Sequence, residues 1–336
     1  MSPNTKLDVV FGAMTFGKEG QAQVRTSKLS DASAILDILQ KHGHKEVDTS
    51  RFYGDGSSEE YLAALKYQDR ALIMDTKFYP NTQGYFGRPV THLDLPSMRQ
   101  GLAESLTALQ ADSIDLWYLH APDRSTPLEE TLRAVAALSK EGRFQRWGIS
   151  NYTAWEVAAM CEICNQNAWA KPAVYQGVYN ALFRTVENEL LACLHKYDIA
   201  FYAFNPLAGG VLTHRYRRDT ADAAIEPGSR FDPAQMQGKM YRVRYWTGET
   251  FDALEALRGA AGKYGLRESE CALRWMMHHS ALKRELGDKV IIGASSGEQL
   301  EMNLKDLEGG ELPADVVAAL DKGWEGCRAK AWKYFH

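Results

Sequence analysis

Four side chains in this sequence could act together on a carbonyl group: Asp48, Tyr53, Lys77 and His120. Each sits at or just after the end of a short apolar stretch with strand character, in the segments 44–53, 71–77 and 114–120. A free phenol has a pKa near ~10 and gives up its proton reluctantly at neutral pH. An ammonium beside it favours the phenolate and eases proton donation. Asp48 is suited to keep Lys77 charged, because adjacent strands lie only about 4.8 Å apart. His120 could then donate to a substrate oxygen or orient it. No nucleophile is paired with a base here, so the set suits a group that accepts a hydride and needs a proton.

Singly, each residue has an ordinary explanation. Asp48 could cap a turn, Lys77 could be a strand-end charge, Tyr53 could pack in a turn and His120 could belong to a loop. Four such residues at successive strand ends are better explained by one shared site, provided the strands are parallel neighbours.

The rest of the chain supplies that arrangement. Strand patterns at 9–13, 46–48, 71–77, 115–120, 146–150, 173–176, 199–205 and 289–293 alternate with helical runs whose apolar residues recur at i, i+3 and i+4. Ser30 or Asp31 is the expected cap of the first run, and Asp94 of a later one. Thr126 followed by Pro127 marks another helix start. Eight strands alternating with helices predict a closed (β/α)8 TIM barrel, an α/β fold, with residues 1–336 forming a single domain. No Gly-x-Gly-x-x-Gly turn follows the first strand, as an open dinucleotide-binding sheet would favour.

The interval 207–247 breaks the rhythm. It shows no clear crossover helix and contains Gly209, Gly210, Gly228 and the basic residues Arg215, Arg217, Arg218, Arg230 and Arg244. A long segment of this kind after the seventh strand reads as a lid over an anionic ligand.

Composition sets outer bounds. Of 336 residues, 45% are apolar and 24% charged, with a net charge of −4, which gives no electrostatic case for nucleic acid or an anionic membrane surface. No apolar run reaches the ~18 residues of a bilayer span, and no secretory signal is evident, so a cytoplasmic location is expected. Cys161 and Cys164 form a Cys-x-x-Cys pair inside a helical pattern, without the second ligand pair that zinc would need.

At this level of detail the sequence resembles the aldo-keto reductases over nearly its whole length. The resemblance is closest to the aflatoxin-aldehyde reductase branch, which also reduces succinic semialdehyde. It rests on His120-Ala121-Pro122-Asp123, Gly148-Ile149-Ser150-Asn151-Tyr152, Asn205-Pro206-Leu207-Ala208-Gly209-Gly210 and Ile292-Gly293-Ala294-Ser295-Ser296. It implies NAD(P)H-dependent reduction of an aldehyde or ketone, in detoxification or the tailoring of a secondary metabolite, with Tyr53 as proton donor and no metal. Ser150, Asn151 and Gln176 would hold the nicotinamide carboxamide, with Phe204 stacked on the ring where relatives usually carry tyrosine. Asn205, Pro206, Leu207, Gly209 and Arg215 would bind the pyrophosphate, and Gly293, Ser295, Gln299 and Asn303 the adenosine end. Ala294 and Gln299 stand where many relatives carry lysine and arginine for the 2′-phosphate, which leaves NADH as the alternative to NADPH. Tyr79, with Tyr85 and Phe86, is a candidate pocket wall. Arg242 and Arg244 match loop arginines that favour carboxylated substrates, whereas histidine, not arginine, stands at position 336. A homodimer is the assembly the branch suggests. The same fold and tetrad also occur in nicotinamide-binding regulatory subunits of potassium channels, and the fold alone would permit a metal-dependent hydrolase.

Overall fold

In the computed structural model, which describes residues 3–336, the eight strands follow one another around a closed barrel, each parallel to its neighbours. In chain order the elements are β1 (Asp8–Gly12), α1 (Leu29–Lys41), β2 (Glu46–Asp48), α2 (Ser57–Ala64), β3 (Ile73–Phe78), α3 (Leu95–Leu109), β4 (Ile114–Leu119), α4 (Leu128–Ser139) and β5 (Phe144–Ser150). They continue with α5 (Ala154–Gln166), β6 (Val174–Val178), α6 (Leu190–Lys196), β7 (Ala200–Phe204), α7 (Met236–Tyr245), α8 (Gly248–Gly262), α9 (Glu268–His278), β8 (Lys289–Ile292), α10 (Gly297–Leu307) and α11 (Ala314–Cys327). Pairing of β1 with β8, Phe11 opposite Ile292, closes the ring. The expected eight-stranded α/β barrel is thus the observed fold, and no helix among the described residues is long and apolar enough to cross a membrane.

Period-two alternation gives each strand two jobs. One set of side chains (Val10, Leu116, Tyr118, Val174, Tyr202 and Ile291) fills the barrel interior. The other, including Val47, Met74, Trp117, Ile149 and Phe201, packs outward against the helices. At the base of the interior, Arg146 bridges Asp115 (2.7 Å) and Glu46 (3.2 Å), while Lys289 also pairs with Glu46. Above these layers the inward positions are polar, and there the candidate site begins.

Local signals succeeded where side chains reach their own backbone. Asp94 caps α3 by accepting from the Ser97 amide at 2.8 Å. The first helix instead starts after Lys28, with no side-chain cap bond, so neither Ser30 nor Asp31 is its cap. The α4 cap position falls on Pro127, and the Thr126 hydroxyl donates to Asp123 instead. Cys161 and Cys164 both lie buried on α5, where burial pushes their thiols up to about 12 and about 11.

The segment 207–247, expected as a lid and so labelled below, departs further from expectation. Far from lacking regular structure, it carries α7. An aromatic cluster of Tyr216, Phe231, Tyr241 and Trp246 packs inside it. Glu226 ties it to the β1–α1 connection through Arg25 and also pairs with Arg215 at 3.4 Å.

Candidate active site

Parallel register brings the four residues together. Asp48 lies opposite Asp75, so its inward neighbour two residues on is Lys77, and Lys77 lies opposite Tyr118 on β4. His120 follows β4 directly, its amide continuing the ladder to Phe78 O at 2.9 Å. Tyr53 arrives from the connection after β2, on a tight turn in which Gly54 and Gly56 have φ of 54° and 87°. At φ of 87°, Gly56 takes a left-handed conformation that glycine adopts without steric cost.

Lys77 is fully buried, and its ammonium has three partners: Asp48 Oδ2 at 2.5 Å, Thr49 O at 2.7 Å and the Tyr53 hydroxyl at 3.4 Å. The other Asp48 oxygen accepts from Gln176 Nε2 at 2.9 Å. Burial alone would pull Lys77 down, but Asp48 and Tyr53 outweigh it and hold the ammonium above its ordinary range. Burial raises Asp48, against the pull of Lys77 and Gln176. Tyr53 departs from the simple expectation of a lowered pKa. Burial raises it more than Lys77 lowers it, so the phenol is protonated and the lysine offsets only part of its desolvation.

His120 is held well below its ordinary range by burial, then by the charges of Lys77 and His336, so its ring is neutral. Its Nδ1 lies 3.4 Å from Ser50 Oγ. The ring meets Tyr53 and Tyr79 edge-on at centroid distances of 5.9 and 5.6 Å, and Phe52 packs on Tyr79 at 5.1 Å. Tyr79 therefore borders the reacting groups. Tyr85 is exposed in the loop beyond, and the Phe86 side chain lies outside the described residues.

Strands β5 to β7 carry groups that could hold a nicotinamide. Ser150 and Gln176 are buried and register-paired. Asn151, with φ of 70°, donates to His120 O (2.9 Å) and Ser150 Oγ (3.0 Å). Gln176 uses its amide nitrogen on Asp48, which leaves its carbonyl oxygen as an acceptor for a carboxamide NH₂. Phe204 ends β7 half-buried and offers an aromatic face. The chain then turns left-handed at Asn205, Ala208 and Gly209, with Pro206 buried and Leu207 half-buried between them. A Cβ at Gly209 would fall 2.5 Å from the Tyr241 ring, and Tyr241 in turn hydrogen-bonds Asn205 at 3.2 Å. Donor chemistry, aromatic face and glycine-lined turn all suit a nicotinamide dinucleotide.

Of the residues expected at an adenosine end, Gly293 follows β8 and Asn303 is buried on α10. Gln299 Oε1 accepts from both the amide (3.1 Å) and hydroxyl (2.9 Å) of Ser295, so these two form one unit.

The expected arginines are placed unequally. Arg215 shares Glu226 with Arg25 on the lid surface. Arg242 is engaged inside the lid, by Phe231 O at 2.8 Å and Asp222 at 2.7 Å, and stacks over Trp246. Arg244 lies over Tyr241, Tyr245 and Trp332, and its charge, after burial, is the main influence lowering His336. Arg230, grouped in the sequence with the other basic residues of this segment, has a charge that lowers Tyr53, more weakly than Lys77 does. Its guanidinium donates to the Tyr241 hydroxyl at 2.7 Å. Nothing in its sequence neighbourhood separates it from Arg242; only the folded lid does. Among the described residues, Glu46, Asp75 and Asp115 bring three carboxylates together, but Arg146 and Lys289 already pair with that cluster.

A sequence model of the aldo/keto reductase family matches residues 8–325. An aldo-keto reductase of Pseudocercospora fijiensis is 50% identical over 301 residues, which cover 90% of this chain and 100% of that protein. Human aldo-keto reductase family 7 member A3 is 41% identical over 334 residues, covering 97% and 96%. Human aflatoxin B1 aldehyde reductase member 4 is 40% identical over 330 residues, again covering 97% and 96%. Among solved structures, a glycerol dehydrogenase from Gluconobacter oxydans matches with a TM-score of 0.71 at 21% identity, covering 95% of this chain and 91% of that one. That last likeness is one of fold.

Proposed function

The chain belongs to the aldo/keto reductase family of NAD(P)H-dependent oxidoreductases, and from that premise we propose that it reduces an aldehyde or ketone to the alcohol with Tyr53 as general acid. The observation that carries this reading is the chain Asp48–Lys77–Tyr53, a buried ion pair leading to a half-buried phenol, with contacts of 2.5 and 3.4 Å. A bound reduced nicotinamide supplies the hydride.

Tyr53 holds its proton at rest because burial outweighs Lys77. As negative charge develops on the carbonyl oxygen, the phenolic proton moves to it. Lys77 then faces a nascent phenolate at closer to full Coulombic strength than in water. His120, neutral, orients the same oxygen by a hydrogen bond, and Tyr79 walls the approach. Ser150, Asn151 and Gln176 orient the carboxamide, while the 205–209 turn and Arg215 attend the pyrophosphate. NADPH is the cofactor supported by kinship with the aflatoxin-aldehyde branch, with NADH the alternative that Ala294 and Gln299 keep open.

Arg230 supports a substrate carrying an anionic group, since its charge is felt at Tyr53 and its guanidinium donates to the Tyr241 hydroxyl. We read residues 1–336 as a single domain in which 207–247 serves as the cofactor and substrate lid.

The test is steady-state oxidation of NADPH and NADH with succinic semialdehyde, 2-carboxybenzaldehyde and 4-nitrobenzaldehyde, alongside Tyr53→Phe. Turnover that collapses in the variant while cofactor binding persists is the expected result. Full turnover in Tyr53→Phe would remove the phenol from the mechanism. Tight cofactor binding without turnover of any aldehyde would favour a regulatory nicotinamide-binding protein.

A further inference from the structure

Glu59, on α2, is completely buried, yet neither the acid–base set nor the cofactor wall uses it. Its Oε1 accepts from the Thr76 hydroxyl at 2.7 Å, and its Oε2 accepts from Arg51 Nη1 at 3.0 Å. These partners are placed with respect to the reacting pair. Thr76 immediately precedes Lys77 on β3, and Arg51 lies two residues before Tyr53. Strand alternation turns Lys77 inward and Thr76 outward, as confirmed by its register partner Trp117, which packs in the outer core. Glu59 therefore grips β3 from the helix side of the barrel wall. Arg51 Nη1 also donates to Gly56 O at 2.9 Å, so one guanidinium holds both ends of the turn that presents Tyr53.

The geometry points to Glu59 as the positioning residue for proton donation, fixing the Tyr53 turn through Arg51 and the Lys77 strand through Thr76. The inference rests on the reading of Tyr53 as general acid and adds what sets its distance from Lys77. That distance, 3.4 Å, is at the long limit of a hydrogen bond, so a small outward movement of the turn would break it. Burying a carboxylate is unfavourable unless it is well paired, and an apolar side chain would fill the same space more cheaply. What an apolar residue cannot do is bond two separate elements at once.

The experiment compares Glu59→Gln, Thr76→Val and Thr76→Ser with the parent enzyme, measuring kcat, aldehyde KM and NADPH Kd by fluorescence quenching. Thr76→Val removes the donor while keeping the side-chain shape, and Thr76→Ser keeps the donor. A misplacement of about 1 Å can lower rates about 100-fold, so Glu59→Gln and Thr76→Val should lose about 10- to 100-fold in kcat. Their KM and Kd should stay within about twofold, and Thr76→Ser should return kcat to near the parent value. Parent-like kcat in Thr76→Val, or equal losses in Thr76→Val and Thr76→Ser, would overturn the proposal. So would KM and Kd worsening in step with kcat, which marks general loosening. If Glu59→Gln fails to fold, the Thr76 pair decides alone. An active Tyr53→Phe would sink the acid assignment itself. An inactive Tyr53→Phe beside a fully active Thr76→Val would sink only the positioning role.

Discussion

The ammonium of Lys77 lies 2.5 Å from the carboxylate of Asp48, and solvent reaches almost nothing of either side chain. All three ammonium protons have acceptors, two of them (Asp48 and the Thr49 carbonyl) at 2.7 Å or less. Such a pair gains little net stability over an apolar core, because desolvation of both ions offsets their attraction. Its effect is to keep one positive charge fixed under the Tyr53 hydroxyl whether or not substrate is present.

Replacing Lys77 by Met removes that charge and leaves burial as the main influence on Tyr53. The rate of hydride transfer should fall about 10²- to 10⁴-fold, the usual span of a general-acid contribution. Asp48 would be left as a buried unpaired carboxylate, costing about 3–5 kcal/mol unless it takes up a proton. Single-turnover kinetics and thermal unfolding of Lys77→Met measure both effects. A kcat within about tenfold of the parent would mean that the phenol does not depend on this lysine.

Arg230 and Arg242 separate by their partners. Arg242 is held within the lid by Asp222 and Phe231, whereas Arg230 is held by the Tyr241 hydroxyl. Arg230→Gln should reduce kcat/KM for succinic semialdehyde about 10- to 100-fold, as expected for a charged hydrogen bond of about 1.5–3 kcal/mol. It should barely change kcat/KM for 4-nitrobenzaldehyde. Arg242→Gln should lower the Tm with no preference between the two substrates. Equal effects of Arg230→Gln on both aldehydes would assign this arginine to the cofactor or to the lid.

Stability should respond to pH through His44, which is buried beside the start of β2 with Nε2 unpartnered among the described residues. Burial lowers its pKa to about 4, overriding the opposing pull of Asp8. Between pH 6.5 and about 4 the unfolded chain takes up a proton that the folded protein refuses. The contribution is therefore complete above the unfolded value and lost as pH falls through this window. The gap corresponds to about 3 kcal/mol as an upper figure. Asp306, raised to about 6 mainly by burial, works in the opposite sense over part of the same range. Subtracting the Tm–pH curve of His44→Gln from that of the parent isolates the histidine. A difference that stays flat from pH 7 to 4 would refute it.

Much of the site was legible because its logic is local. Asp48, Lys77, His120 and Ser150 stand at or beside strand ends and Gln176 lies within β6, and strand alternation alone puts successive inward residues on one side. The α3 cap at Asp94 could be read for the same reason, since a capping side chain bonds its own backbone three residues on. By contrast, α7 was missed. Its large apolar residues Met236, Met240 and Val243 are exposed, so it lacks the buried stripe by which a helix is recognised.

The sequence by itself determined the barrel, the reaction class and the four residues at the mouth, because the order of strands and the period of each fix which side chains can meet. Tertiary structure decided which partners hold Arg230 and Arg242, which way Tyr53 is shifted and what Glu59 joins. Those outcomes depend on burial and on contacts between segments far apart in the chain, such as Arg25 with Glu226 across 201 positions. A desolvation energy or a pairing choice of that kind exists only after the chain has closed around it.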